Sequence, residues 1–206
     1  MRHYGSPTRL LDFSRSPYVA AFFATADAED DESAAIWAID TYALRQLASS
    51  MLAEFPPIYN RLGKPNGSYP FSEPAVFKTI SWIGDLRGPK VVVPVEPFRI
   101  NQRMLVQQGL SLSPAYLDNS FEAALASMAQ RAKQDATMTT EVIRKLTIQP
   151  SASPYVLREL HRMNVNFASL LPGLDGLARS LAMVSKIRAT TVPWPQRPDW
   201  EFDAPL

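Results

Sequence analysis

The stretch from residue 9 to residue 26 constrains the fold most, because a strand must turn directly into a helix there. Residues 9–13 are apolar except for Arg9 and Asp12, and they predict a short strand. Ser16 and Pro17 predict the helix start, since serine caps free N–H groups and proline at the first helical position loses no hydrogen bond. Apolar side chains then recur at helical spacing and predict the face that packs on the core. They are Val19, Phe22, Phe23 and Ala26.

The two charged residues of the predicted strand, Arg9 and Asp12, must be paired, exposed or functional, because burying an unpaired charge is costly. Residues three apart on a regular strand point to opposite faces, so the two cannot enter one pocket unless the strand is bulged. A structural role is favoured for both. Arg9 is the better candidate for a site, since a guanidinium binds a phosphate or carboxylate through two parallel hydrogen bonds.

Composition excludes several classes of function. The 206 residues, 46% of them hydrophobic and 20% charged, are typical of one globular domain. A net charge of +1 gives no signal for nucleic acid. There is no cysteine and there are only two histidines, so no disulfide or structural zinc site is predicted and no metal site is assigned. No apolar run approaches the ~20 residues of a membrane span, and no signal peptide is visible, so a cytoplasmic location without a membrane partner is predicted.

The remaining strands follow from apolar patterning. Residues 34–39 form an uninterrupted apolar run, which predicts a buried central strand. Residues 91–95 are mostly β-branched and predict a strand, and Pro94 places it at a sheet edge or marks a strand end. Apolar and polar residues alternate near the end of residues 140–149, where Leu146 and Ile148 follow Lys145 and Thr147, and this pattern predicts a half-buried strand. Because these strands are interleaved with helices without a strict βαβ rhythm, we expect an α+β fold with a mixed, mostly antiparallel sheet and flanking helices.

Helices are predicted over residues 42–53, 99–108, from 119 onwards, 153–161 and 173–189. Asp40 or Thr41 would cap the first, Gly109 would end the second, and Asn119 would open the third. The inward faces are predicted from spacing. They comprise Leu44, Leu47 and Leu52, then Phe121, Ala124, Leu125 and Met128, then Val156, Leu157, Leu160 and Met163, and lastly Leu174, Leu177, Ala178, Leu181 and Val184.

Two segments stand apart from these elements. Residues 55–74 are rich in Pro, Gly and Asn and predict a long loop, either a variable insertion or a binding loop, with a short helix expected over residues 74–86. Residues 190–206 hold Trp194, Trp200 and several prolines. They predict an extended C-terminal arm laid on the domain, since both tryptophans would otherwise be exposed.

Three blocks of the sequence resemble the FRG family. Residues 3–24, HYGSPTRLLDFSRSPYVAAFFA, are similar to its most characteristic block; residues 99–109, RINQRMLVQQG, to its second signature; and residues 169–181, SLLPGLDGLARSL, to its closing block. Ser111 stands where the second signature commonly has an aromatic residue. The family is named for a Phe-Arg-Gly motif upstream of the first block, whereas this sequence starts at Met1. The resemblance therefore implies an FRG domain over residues 1–189 that lacks the family's N-terminal strand, followed by the arm.

The FRG resemblance implies a ligand-binding or effector domain of unassigned activity whose partner is a small molecule or a protein. It assigns no oligomeric state. It implies a pocket between the first block and residues 103–109. The side chains it would use are His3, Tyr4, Arg9, Asp12, Ser14, Arg103, Gln107 and Gln108. For the first two, a turn that caps the sheet is an alternative role. For Arg103, Gln107 and Gln108, an equally good interpretation is that they end a helix and face solvent.

A looser resemblance to ADP-ribosyltransferases gives a second hypothesis, with NAD as a possible cofactor. On that analogy Arg9, Ser14 and Ser16 would line an NAD pocket, and residues 107–108 would approach the position of the catalytic glutamate. An uncharged Gln cannot stabilise the positive charge of an oxocarbenium-like centre as a carboxylate does, so no catalytic residue is assigned. A third hypothesis is a non-catalytic interaction module that uses the 55–74 loop or the tryptophan-containing arm.

Overall fold

The computed structural model describes residues 10–29, 31–54, 89–95, 100–115, 120–135 and 141–189. These residues form antiparallel strands interleaved with helices, which confirms the α+β prediction. The strands are β1 (Leu11–Ser14), β2 (Ala34–Ile39), β3 (Val92–Val95), β4 (Gly109–Pro114) and β5 (Ile143–Ile148). The helices are α1 (Pro17–Ala26), α2 (Thr41–Ala53), α3 (Gln102–Val106), α4 (Phe121–Gln134), α5 (Ser153–Arg162), α6 (Phe167–Leu170) and α7 (Leu174–Ala189).

Some predictions lie outside the described residues. They are the loop over residues 55–74, the short helix over residues 74–86 and the arm over residues 190–206. Of the helices that the structure describes, none combines the length and the apolar character that crossing a bilayer requires.

The first sheet has three described strands in the order β1-β4-β3, all antiparallel. Leu112 of β4 lies opposite Leu11 of β1 on one side and opposite Pro94 of β3 on the other. β3 is therefore an edge strand of the described sheet, as Pro94 predicted, because proline has no N–H to donate to a ladder. All four residues of β3 are buried, so this edge is covered.

The second sheet is a ladder in which the described strands are β2 and β5, paired antiparallel from Ala34–Ile148 to Ile39–Ile143. The prediction of a buried central strand over residues 34–39 is wrong. Trp37 of β2 is 51% exposed, and Ala34 is its one buried residue. The half-buried prediction for β5 fails for Leu146, which is 47% exposed. An apolar run indicates a strand, but its burial depends on how many layers pack on it.

The hydrophobic residues form two clusters. The larger joins α2 and α4 to the three-stranded sheet, and it buries the predicted inward residues Leu44, Leu47, Leu52, Ala124, Leu125 and Met128. The smaller joins α1 to α5, α6 and α7, with the Phe22 and Phe167 rings packed edge to face at 4.9 Å between centroids. Val19 and Leu160 are buried there as predicted, whereas Met163 is exposed, contrary to the prediction.

The helix starts combine confirmed and corrected predictions. The Ser16 hydroxyl accepts a hydrogen bond from the Val19 N–H at 3.4 Å, and Pro17 opens α1 as expected. Asp40 Oδ1 accepts from the N–H groups of Tyr42 and Ala43 at 2.9 and 3.0 Å, so the aspartate and not the following threonine caps α2. α4 is capped by Ser120 rather than by the predicted Asn119, because the helix begins one residue later.

The end of α3 also differs from the prediction. The helix stops at Val106, and Gly109 is already the first residue of β4. The left-handed conformation that ends such a helix is adopted by Gln108, with a φ of 50°. Gln107 and Gln108 thus connect the end of α3 to β4, which pairs antiparallel with β1.

α7 is rotated relative to the prediction. Leu174, Leu177 and Leu181, expected to face inward, are all exposed, the first of them at 83%. The buried face instead carries a glycine, a small residue and a flexible one: Gly176, Ser180 and Met183. A Cβ added at Gly176 would lie 1.9 Å from the carbonyl oxygen of Leu171, so the helix approaches the preceding turn more closely than any larger residue allows. Backbone proximity, and not leucine spacing, sets this orientation.

Candidate functional site

The polar residues predicted as a site lie mainly where β1 ends beside the α3–β4 turn. The Ser14 hydroxyl donates to the carbonyl oxygen of Gln107 at 2.7 Å and accepts from the N–H of Ser16 at 3.0 Å. The N–H of Arg15 donates to the carbonyl oxygen of Gln108 at 2.9 Å. The structure therefore brings Ser14, Gln107 and Gln108 together through hydrogen bonds that join two chain segments, while their role as ligand-binding residues stays a prediction.

The side chains of Gln107 and of Asp12 on the neighbouring strand have protein partners, whereas Gln108 takes part through its backbone carbonyl. Gln107 Nε2 donates to the carbonyl oxygen of Leu170 at 2.9 Å, which ties the turn to α6. Asp12 lies opposite Ser111 in the ladder, and its carboxylate accepts a hydrogen bond from the Ser111 hydroxyl at 3.3 Å. Each of these bonds joins β1 or the α3–β4 turn to a neighbouring segment, so the contacts shown for Asp12 and Gln107 are structural; a ligand role for either stays a prediction.

Arg103 lies on α3, whose first turn is capped by Asn101 Oδ1 accepting from the Met104 N–H at 2.8 Å. The Arg103 Nε atom is buried and has no hydrogen-bond partner among the described residues. A ligand role for Arg103 stays a prediction. The other predicted site residues, His3, Tyr4 and Arg9, lie outside the described residues.

A second candidate site lies elsewhere among the described residues, on the opposite face of β1. A cleft of about 740 Å³ lies between α4 on one side and β1, β2 and the start of β5 on the other; we call it the central cleft. Its described lining is mostly apolar and aromatic: Leu11, Phe13, Trp37, Ile39, Phe121, Glu122, Leu125, Ala126, Ala129, Ala132, Lys133, Glu141, Val142 and Ile143.

The pleat of β1 explains why the predicted site and the cleft are separate. Successive strand residues point to opposite faces, so Leu11 and Phe13 face the cleft while Asp12 and Ser14 face away. Accordingly, no predicted site residue that the structure describes lines the cleft. The Phe13 and Phe121 rings, 6.2 Å apart between centroids, mark one end of it.

Sequence analysis missed the central cleft, although two signals pointed to it. Ala126, Ala129 and Ala132 form a second stripe on α4, beside the core-facing stripe that ends at Met128. A tryptophan within the apolar run 34–39 is the other signal, because tryptophan is enriched at binding surfaces. Neither signal says where the opposing wall lies, since the wall comes from strands far away in the sequence.

Three ionisable side chains belong to the described lining of the central cleft. Glu141 is paired with Arg144, with 2.9 Å between Oε2 and Nε. Glu122 lies in the first turn of α4 and Lys133 in the last, positions at which the helix dipole favours their respective charges. Among the described residues, no group of three His, Cys, Asp or Glu side chains could hold a metal ion.

Comparison with known proteins gives one match. The family model for the FRG domain matches residues 1–33, a stretch that includes β1 and α1. This finding confirms the FRG resemblance over the first block, while the resemblance of the second and third blocks stays a prediction. No curated protein and no solved structure matches this chain.

Proposed function

We propose that this protein is a ligand-binding domain that holds a small, mostly apolar ligand in the central cleft. The observation that carries the proposal is the cleft itself: its volume of about 740 Å³ falls within the range of roughly 300–1,000 Å³ that is usual for ligand sites. Its described lining has the usual composition too, being mostly apolar with a few charged side chains.

The exposure of Trp37 supports the same proposal. A tryptophan that is half exposed on a strand keeps a large apolar surface in water, and a ligand stacked on it would remove that surface. Lys145 lies over the ring, 5.5 Å from its centroid, and helps to hold its orientation. Because Trp37 also lines the cleft, the exposed aromatic surface and the cavity belong to one site.

The proposal is tested by filling the cleft. We expect a thermal-shift screen of the full chain to find apolar compounds that raise the melting temperature, since a ligand at 100 times its Kd adds about 2.7 kcal/mol. Ala129→Trp places a large side chain in the cleft and should reduce the affinity of such a compound at least tenfold. Ala123→Trp, on the same helix but outside the lining, is the matched control.

Two results would contradict the proposal. One is a screen without a single stabilising apolar compound. The other is a compound whose affinity is the same in the parent and in a folded Ala129→Trp variant. NAD and ADP-ribose belong in the same screen, because a shift with either that survives Ala129→Trp would favour the ADP-ribosyltransferase-like hypothesis and a different pocket.

A further inference from the structure

The shape of the central cleft and its charges restrict the ligand further, on the assumption that the proposed function holds. The α4 residues that line it recur at intervals of three and four, so they form one continuous face along the helix. From Phe121 to Lys133 this face is roughly 18 Å long at the rise per residue of an α-helix. The site is therefore elongated, and it is apolar between its ends.

The two ends of the cleft differ chemically. At the start of α4 the Phe13 and Phe121 rings form an aromatic end. At the other end lies Lys133, for which the structure shows no ion-pair or hydrogen-bond partner within the described residues. Glu141, the carboxylate that follows in the lining, is already paired with Arg144. An unpaired ammonium at one end of an apolar trough complements a ligand that has one anionic end.

We propose that the ligand is a linear amphiphile with a terminal carboxylate, such as a medium- or long-chain fatty acid. Its chain lies along the α4 face over Ala126 and Ala129, where small side chains leave room for it. Its methyl end reaches the Phe13–Phe121 pair, and its carboxylate forms an ion pair with Lys133. Glu122 is exposed at the opposite end, where it would oppose an anionic group and so favours this orientation.

The test measures by titration calorimetry how tightly the full protein binds three ligands that share one chain length and differ in head group. Each ligand is kept below its critical micelle concentration. The ligands are dodecanoate, dodecanol and dodecyltrimethylammonium. We expect dodecanoate to bind about fivefold more tightly than dodecanol, the advantage of a partly exposed ion pair. The ammonium should bind most weakly, because it meets the charge of Lys133.

The variants assign that preference to one residue. Lys133→Ala should reduce dodecanoate affinity to that of dodecanol and leave dodecanol unchanged, Lys133→Arg should retain the preference, and Lys133→Glu should reverse it in favour of the ammonium. Lys90→Ala removes an exposed lysine outside the lining and should change nothing. Raising the salt concentration should weaken dodecanoate binding alone.

The outcomes separate the two proposals. Equal binding of dodecanoate and dodecanol, with no effect of Lys133→Ala, would overturn the carboxylate proposal while leaving an apolar cleft ligand in place. Tighter binding of the ammonium in the parent protein would overturn it as well. If Ala129→Trp changed the binding of no apolar compound, the proposed function itself would fail.

Discussion

The two sheets differ in burial although both contain strongly apolar strands. Every residue of β3 is buried, whereas Trp37 of β2 is about half exposed to solvent. β3 packs against α2 and α4 within the larger cluster, and β2 pairs with β5 in a ladder of two described strands. Apolar sequence alone therefore does not distinguish a core strand from the wall of a binding cleft.

The difference locates the candidate site. The central cleft lies where the two sheets face α4, with β1 contributing Leu11 and Phe13 from the three-stranded sheet and β2 contributing Trp37 and Ile39 from the two-stranded ladder. One wall is fixed by the larger cluster, and the other keeps apolar surface that a ligand could cover. The predictions below test this contrast, beginning with the largest expected effect.

Leucines in the two sheets should differ strongly in their contribution to stability. Leu112 of β4 is 1% exposed, and Leu112→Ala should lower the free energy of unfolding by about 2–5 kcal/mol through lost burial and a cavity. Leu146→Ala in β5 should cost less than ~1 kcal/mol, because Leu146 is already half in solvent. Denaturant unfolding measures both, and equal losses would show that the ladder is as well packed as the three-stranded sheet.

Ser14→Ala tests whether the polar end of β1 is structural. Loss of the bonds to the Gln107 carbonyl and from the Ser16 N–H should lower the free energy of unfolding by about 1–2 kcal/mol. The exposed Ser33→Ala is the matched control and should leave stability unchanged. Binding of a central-cleft ligand should be unaffected, since Ser14 faces away from the cleft; a large loss of affinity with normal stability would restore Ser14 as a ligand group.

The smallest effect is expected from Lys145→Ala in the exposed ladder. Its contact with the Trp37 ring is worth about 0.5–1 kcal/mol at such an exposed position. The change should be visible as altered tryptophan fluorescence and as slightly weaker ligand binding, because the ring is less well held. A loss of stability comparable to that of Leu112→Ala would contradict the exposed character of this ladder.

Candidate site residues were harder to predict than elements. Ser14, Gln107 and Gln108 do come together, yet their hydrogen bonds go to backbone groups that only the packed turn supplies. The central cleft was not predicted, because its walls combine β1, β2, α4 and β5. These elements are far apart in sequence: β1 begins at Leu11 and β5 begins at Ile143. Resemblance to the FRG domain marked the first block without indicating which face of β1 mattered.

The sequence by itself determined features that depend on neighbours along the chain. The Ser16–Pro17 start of α1 follows from local hydrogen bonding, and so does a start of α2 at Asp40 or Thr41, between which the structure decided. Pro94 likewise restricted its strand to a sheet edge or itself to a strand end, because proline has no N–H to donate. Tertiary structure decided burial. It turned the leucines of α7 outward around Gly176 and left Trp37 exposed beside a cleft, because which face is covered depends on segments distant in sequence.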